Sequence, residues 1–186
     1  PHSIAFWFRR DLRLEDNTAL YEAVSQSENV IPVFIFDEDI TEELPKNDPR
    51  IQFIHSKLKE INERLVEHGS SILILKGKTE DVWKNIIHDY AIDGVFINKD
   101  YEPYAIKRDK RIEQLLGKNG IKTFSFKDQV IHEEHDVLKA DGKPYTVFTP
   151  YKNKWLENFT PQNVKPPINY ENFHKNTFPF PSLKKI

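Results

Sequence analysis

The sequence contains no cysteine and no methionine. The missing thiols exclude disulfides, zinc–thiolate sites, iron–sulfur clusters and thiol catalysis. Without methionine, a chain that begins at Pro1 is expected to have lost its initiator or to have been trimmed. Glycine is scarce as well. There are six, none in G-x-G-x-x-G spacing, so the dinucleotide fingerprint is absent. Gly77-Lys78-Thr79 imitates the end of a P-loop, but Ile72 stands where that motif requires its first glycine. No apolar run approaches the roughly 18 residues of a membrane helix. No basic segment leading into an apolar stretch opens the chain, as it would in a secretory signal. The expected location is therefore the cytoplasm, with no membrane partner. An excess of one charge is also lacking: 27 Lys and Arg face 29 Asp and Glu, for a net −2. Domains that grip a duplex are usually basic, so nucleic-acid binding by this domain as a whole is not favoured.

What is present is a chain of 186 residues, the length of one domain with an appendage. Five of its twelve prolines (Pro161, Pro166, Pro167, Pro179, Pro181) lie in the last 26 residues, a segment with a net charge of +3. That segment has neither helical nor strand periodicity and reads as a linker or extended wrap. It ends on Ser-Leu-Lys-Lys-Ile without a stop signal, so the natural chain is expected to continue past Ile186.

Residues 1–160 alternate apolar strands with amphipathic helices. Strand patterns fall at Ser3–Phe8, Val30–Phe36, Ser71–Leu75, Gly94–Asn98 and Ile121–Phe126. The second is nearly all apolar, as a parallel strand buried on both faces should be, although Pro32 weakens its start. Between them, Asp16 or Asn17 caps a helix through Ala23. Ile51, Ile54, Leu58, Ile61 and Leu65 mark a helix over 50–68, opened by Asp48-Pro49 and stopped by Gly69. Thr79 caps a helix to about Tyr90, and Pro103 starts one that runs to Leu116. Thr149-Pro150 opens a last helix. This order predicts an α/β fold: a doubly wound, Rossmann-like sheet of five parallel strands, helices on both faces, and an extended C-terminal segment. Boundaries are expected at 1–130 for the α/β domain, 131–160 for a hairpin (turn at Ala140-Asp141-Gly142-Lys143) and final helix, and 161–186 for the linker.

Two short motifs carry little. His132-Glu133-Glu134-His135 could suggest a metal, but in an extended stretch the two histidines face opposite ways, and a solvated strand edge accounts for them. Asn158-Phe159-Thr160 is a glycosylation sequon, which means nothing without a secretory signal. Open α/β sheets bind ligands beyond the carboxyl ends of their strands, where strand order reverses. The residues leaving those ends are polar: Phe8-Arg9-Arg10-Asp11 after strand one, Phe36-Asp37-Glu38-Asp39 after strand two, and Lys99-Asp100-Tyr101-Glu102-Pro103-Tyr104 after strand four. Arg50 and Phe53 should face the same crevice. Aromatic rings beside carboxylates and guanidiniums suit a flat aromatic ligand with hydrogen-bonding edges. The residues alone leave open a salt-bridged core edge with no ligand.

Trp7-Phe8-Arg9-Arg10-Asp11-Leu12-Arg13-Leu14-Glu15-Asp16-Asn17, followed by Ala19-Leu20, closely resembles the opening motif of the DNA photolyase/cryptochrome family. Asp48-Pro49-Arg50, Asn98–Tyr104 with Lys107-Arg108-Asp109, and Tyr145–Trp155 agree with further family segments in order and spacing. The resemblance covers about residues 3–160 and implies the family's N-terminal antenna domain, cut off before the domain that holds FAD. In that family the helical C-terminal domain binds FAD and damaged DNA. Excited reduced flavin there passes an electron to a pyrimidine dimer, which splits and returns it. The implied full-length protein is a deoxyribodipyrimidine photo-lyase. No catalytic residue of the reaction lies in this fragment, and damaged DNA is expected to be reached through the missing domain, in a monomer. A cryptochrome, or a free-standing nucleotide-binding module, is the alternative.

The resemblance also implies an antenna chromophore. Folate-type family sites carry a His after strand two and Asn-Glu after the strand-four acid, and here Pro45, Tyr104 and Ala105 depart from that pattern. Flavin-type sites carry an Asp ending strand two, an Arg and an aromatic on the next helix, and acids after strand four. Asp37, Arg50, Phe53, Asp100 and Glu102 resemble that set, with Phe8, Arg9, Phe36 and Tyr104 beside them. An FMN or deazaflavin antenna is therefore favoured, with methenyl-folate kept open. Arg9, Arg10 and Arg13 read first as ion-pair partners of acidic loops. Lys107, Arg108, Lys110 and Arg111 read as a solvated helix face.

Overall fold

The structure, a computed structural model, describes residues 3–45, 48–128, 139, 141, 143, 146–158 and 164–186. Five strands form one sheet: β1 (Ser3–Phe8), β2 (Val30–Asp37), β3 (Leu73–Gly77), β4 (Ile92–Asn98) and β5 (Lys122–Phe126). All pairings are parallel, in the order β3-β2-β1-β4-β5. The helices are α1 (Thr18–Gln26), α2 (Glu38–Thr41), α3 (Pro49–Glu67), α4 (Thr79–Asp89), α5 (Pro103–Lys118) and α6 (Phe148–Asn158). The doubly wound α/β fold expected from the alternating pattern is the one observed. The hairpin turn at 140–143, the His132–His135 stretch and the sequon at 158–160 lie wholly or partly outside the described residues.

Side chains alternate across the central strands and so build two cores. On one face Phe6, Phe8, Phe34, Phe36 and Phe96 pack under Leu20 of α1 and Leu58, Ile61 and Leu65 of α3. On the other, Trp7, Ile31, Val33, Ile35, Val95 and Ile97 pack under Val82, Trp83 and Ile86 of α4 and Ile112 and Leu116 of α5. Every residue of β2 is buried, which explains why it reads as one apolar run.

Local signals act as expected at most ends. The Asn17 side chain accepts the Leu20 amide at 3.1 Å and caps α1, while Asp16 takes a left-handed φ of 46°. Asp48 accepts the Arg50 amide at 2.8 Å, with Pro49 in the first turn of α3. Gly69 ends that helix with φ of 72°, which favours a residue without Cβ. Thr79 does not cap α4, however. Lys78 holds the cap position without a side-chain bond, and Thr79 is the first helical residue, buried and turned inward. Helix α2 was not foreseen, because its four residues are too few for periodicity to register. Asp37, as β2 ends, starts it by accepting the Asp39 amide at 3.2 Å.

β3 begins two residues later than its apolar pattern, and the C-terminal segment shows why. Residues 69–71 are engaged by that segment instead: Gly69 O accepts the Asn176 amide at 3.2 Å, and Ser71 Oγ accepts the Phe178 amide at 2.7 Å. Phe173 forms a parallel bridge with Val30, and the His174 amide donates to Val30 O at 2.8 Å. The segment thus covers the edge of β2 below the point where β3 joins at Val33. Pro32 lies in the same short gap, where no β3 residue needs its missing N–H. Phe173 is fully buried among the α1 and α3 side chains, so this end of the chain wraps the domain. Phe173→Ala should lower unfolding free energy by about 3–5 kcal/mol in chemical denaturation and expose residues 164–186 to limited proteolysis. An unchanged midpoint would show that the segment contributes nothing to the fold.

Candidate functional site

The loop that leaves β1 is fixed by buried polar groups. Asn98, the last residue of β4, accepts the Ala19 amide at 2.9 Å and donates to Asn17 Oδ1 at 2.8 Å. It also donates to the Asp11 carboxylate. Asn17 in turn donates to the carbonyls of Asp11 and Arg13, at 3.2 and 3.1 Å. All three of Asp11, Asn17 and Asn98 are buried, so each amide is matched on both its donor and acceptor sides. Beyond β5, Asp128 accepts from Arg13 Nη2 at 2.6 Å and from the Thr18 amide at 2.8 Å. Arg9 pairs with Asp109 of α5, and Arg10 with Glu102. The three arginines of the loop are thus ion-pair partners of acidic residues, as their sequence context indicated.

With the loop held, a cavity of about 720 Å³ opens over the carboxyl ends of β1, β2 and β4. This is where the strand order turns back between β1 and β4. All nine residues singled out as a ligand set lie along it. Phe8, Phe36 and Asp37 form buried parts of its wall, and Arg9 is buried beside them. Arg50, with its side chain 68% exposed and paired to Asp48 at 2.7 Å, stands at the rim. Phe53 is also exposed there, with Asp100 and Glu102 across the mouth. Tyr104 reaches in from α5 and donates to Asp37 Oδ2 at 2.8 Å. That bond joins the end of β2 to α5 across the cavity wall. Burial and the neighbouring Asp37 carboxylate push the Tyr104 phenol well above the ordinary tyrosine value.

The structure adds residues that sequence reasoning missed. Arg108 is buried, not part of a solvated face as expected: it binds Asp109 through Nε and Nη2 at 3.0 and 2.9 Å. Its guanidinium and that of Arg9 lie 5.0 and 5.4 Å from the Trp7 ring centroid, within cation–π range. A signal was available. Ala105, Arg108, Ile112 and Leu116 step by helical spacing, which puts Arg108 on the buried stripe of α5. Thr41 and Thr79 also line the cavity. Among the described residues, Thr41 Oγ1, Thr79 Oγ1 and Arg9 Nη2 are buried without a hydrogen-bond partner. These three belong to residues that line the cavity, whereas Trp83 Nε1 and Thr123 Oγ1 are likewise buried and unpartnered in residues that do not. No group of three or more metal-ligating side chains occurs among the described residues.

A doubly wound sheet with an aromatic- and arginine-lined cavity at its switch point defines the class of open α/β domains, in which the strand tips at the switch point are the usual place for a ligand. Comparison with known proteins makes this particular. The DNA photolyase family profile matches residues 4–169, and the chain belongs to that family as its N-terminal α/β domain. A deoxyribodipyrimidine photo-lyase of Synechococcus sp. (strain ATCC 27144) is 32% identical over 164 residues, 88% of this chain and 34% of that protein. The deoxyribodipyrimidine photo-lyase of Agrobacterium fabrum is 32% identical over 80% of this chain and 30% of its own length. This chain therefore spans about a third of the curated relatives it matches. The class III photolyase structure from Agrobacterium tumefaciens superposes with TM-score 0.80 at 28% identity, over 99% of this chain and 38% of that one. An archaeal photolyase from Sulfolobus tokodaii, solved with two FAD molecules and discussed as having a novel light-harvesting cofactor, gives TM-score 0.72 at 30% identity, over 89% and 36%.

Asn98→Ala should cost about 2–3 kcal/mol in chemical denaturation, because it strands the Ala19 amide and the Asp11 and Asn17 side chains; a loss under half of that would mean the network is not what fixes the loop. The raised Tyr104 phenol gives a second expectation. Its contribution to stability is whole below the unfolded value near 10 and is lost as pH rises beyond it. Stability of the native chain should therefore fall more steeply than that of Tyr104→Phe above this pH. Parallel curves would contradict the assignment.

Proposed function

We propose that the cavity holds a light-harvesting chromophore of the flavin or deazaflavin type, in the antenna domain of a light-driven photolyase for cyclobutane pyrimidine dimers. The observation that carries this reading is an aromatic-walled cavity of about 720 Å³ at the strand tips, lined by Phe8, Phe34, Phe36 and Phe53 beside Asp37 and Arg50. That volume lies within the roughly 300–1,000 Å³ usual for small-molecule sites. Asp37 can accept from an imide N–H, and Phe53 and Arg50 can cover a ring at the rim. The relative solved with two FAD molecules supports a flavin in this role. The two folate-pattern departures at Tyr104 and Ala105 weigh the same way: Tyr104 is engaged with Asp37, and Ala105 is a buried methyl facing α5's packing stripe. When bound, the chromophore would absorb light for a second flavin. FAD, DNA contact and dimer splitting are assigned to a further domain of the full-length, monomeric, cytoplasmic protein.

Fluorescence titration of the purified chain with FMN and with 8-hydroxy-5-deazariboflavin tests the site. One of them should bind at one per chain, about tenfold or more weaker in Asp37→Asn and severalfold weaker in Arg50→Ala. Equal binding by native and Asp37→Asn proteins would place the ligand elsewhere. The chain alone should show no photoreversal of dimers, and measurable repair by it would refute the division of labour. A cryptochrome reading would be favoured instead if the full-length protein bound FAD and the antenna yet failed to repair.

A further inference from the structure

We propose that Tyr104 is a positioning residue for Asp37, and that the pair makes the cavity select a ligand edge that donates an N–H over the same edge without one. The inference deepens the chromophore reading and rests on it for the choice of flavin probes. Its first ground is the place of Asp37, which ends β2, is buried and lines the cavity. Two other carboxylates share that lining, Asp100 and Glu102, and neither is buried. Among the described residues, Asp37 is thus the buried carboxylate of the cavity wall. A carboxylate has acceptor sites for about four donors. Two are taken here: Oδ1 accepts the Asp39 amide at 3.2 Å, and Oδ2 accepts the Tyr104 hydroxyl at 2.8 Å. Both donors are neutral, so capacity remains for a ligand N–H.

The second ground is where the two bonds come from. The Asp39 amide belongs to the turn that Asp37 itself starts, and one local bond leaves the carboxyl group able to rotate about its last torsion. The Tyr104 hydroxyl comes from α5, 67 residues further along the chain, and holds the other oxygen. Tyr104 is itself fixed. Pro103 opens α5 one residue before it. The Arg108 guanidinium, bound to Asp109, lies 5.9 Å from the Tyr104 ring centroid. Burial and the bond to Asp37 hold the phenol above the ordinary tyrosine value, so it keeps its proton and serves as the donor. That single O–H is spent on Asp37 rather than on a ligand. A carboxylate held at both oxygens in a buried wall is the arrangement that penalises an analogue lacking the N–H, because the acceptor is then left short of a partner.

FMN, whose ring imide carries an N3–H, and its N3-methyl derivative are the probes, titrated by fluorescence into the purified 186-residue chain. FMN should bind about tenfold or more tightly than the methyl derivative. Tyr104→Phe keeps the ring and removes only the hydroxyl. There the preference should shrink by about fivefold, with FMN carrying the loss, and in Asp37→Asn it should shrink at least as far. With nitrogen-15-labelled FMN, the N3 proton resonance of the complex should move upfield in Tyr104→Phe, a change that lost packing at Tyr104 would not produce. A preference that is unchanged or larger in Tyr104→Phe, or both probes weakening together, would overturn the positioning role and make Tyr104 a ligand contact or a packing group. A native preference near one, with both probes bound, would overturn the selection and leave the chromophore site standing. Neither probe binding the native chain would overturn the chromophore reading and this inference together.

Discussion

Everything at the strand tips depends on the buried hydrogen bonds among Asp11, Asn17 and Asn98. A loop of nine residues leaves β1 and must place two arginines at a cavity and start a helix. Loops do not hold such positions by propensity. Here Asn98 fixes the loop to the end of β4, and Asn17 closes it on itself through two carbonyls while capping α1. In a low-dielectric interior such a network is rigid when fully satisfied and costly when broken. Asp128 adds a second anchor at Arg13 and Thr18. The consequence for function is that Arg9 reaches the cavity from a fixed base.

The cavity follows from topology. β1 sends its chain to α1 on one face, and β4 sends its chain to α5 on the other, so the tips of these adjacent strands part. Tyr104 and Asp37 tie one wall across that parting, and the pair formed by Arg9 and Asp109 ties another. The cores on the two faces of the sheet end in this space, which is why Phe8 and Phe36 from one face and Trp7 from the other meet it. A scaffold packed to this degree gives a ligand a preformed site, with little ordering left to do on binding.

Much of this was legible in the sequence because it rests on short-range rules. β1 is a short, largely apolar run whose pattern marks the ends it has in the structure, Ser3 and Phe8. Asn17, Asp48-Pro49 and Gly69 are local cap chemistry. The nine candidate residues lie along one cavity because strand ends can be located from the pattern and the switch-point rule does the rest. What escaped depends on distant contacts. Arg108 sits in a charged run that suggests solvent, and only its distant contacts with Trp7 and its pairing with Asp109 explain a buried guanidinium there. Thr79 passed for a cap, since nothing local shows that its hydroxyl turns inward. The C-terminal segment has no periodicity because its bonds go to the edges left by Val30 and residues 69–71, a hundred positions or more away in sequence.

The central claim is that the space above β1, β2 and β4 is a chromophore site. A crystal structure of the chain grown with FMN tests it most directly. The account predicts the ring system within that cavity, with Asp37 in hydrogen-bond contact. A flavin seated elsewhere on the domain, or a cavity that stays filled only with solvent at saturating FMN, would contradict it.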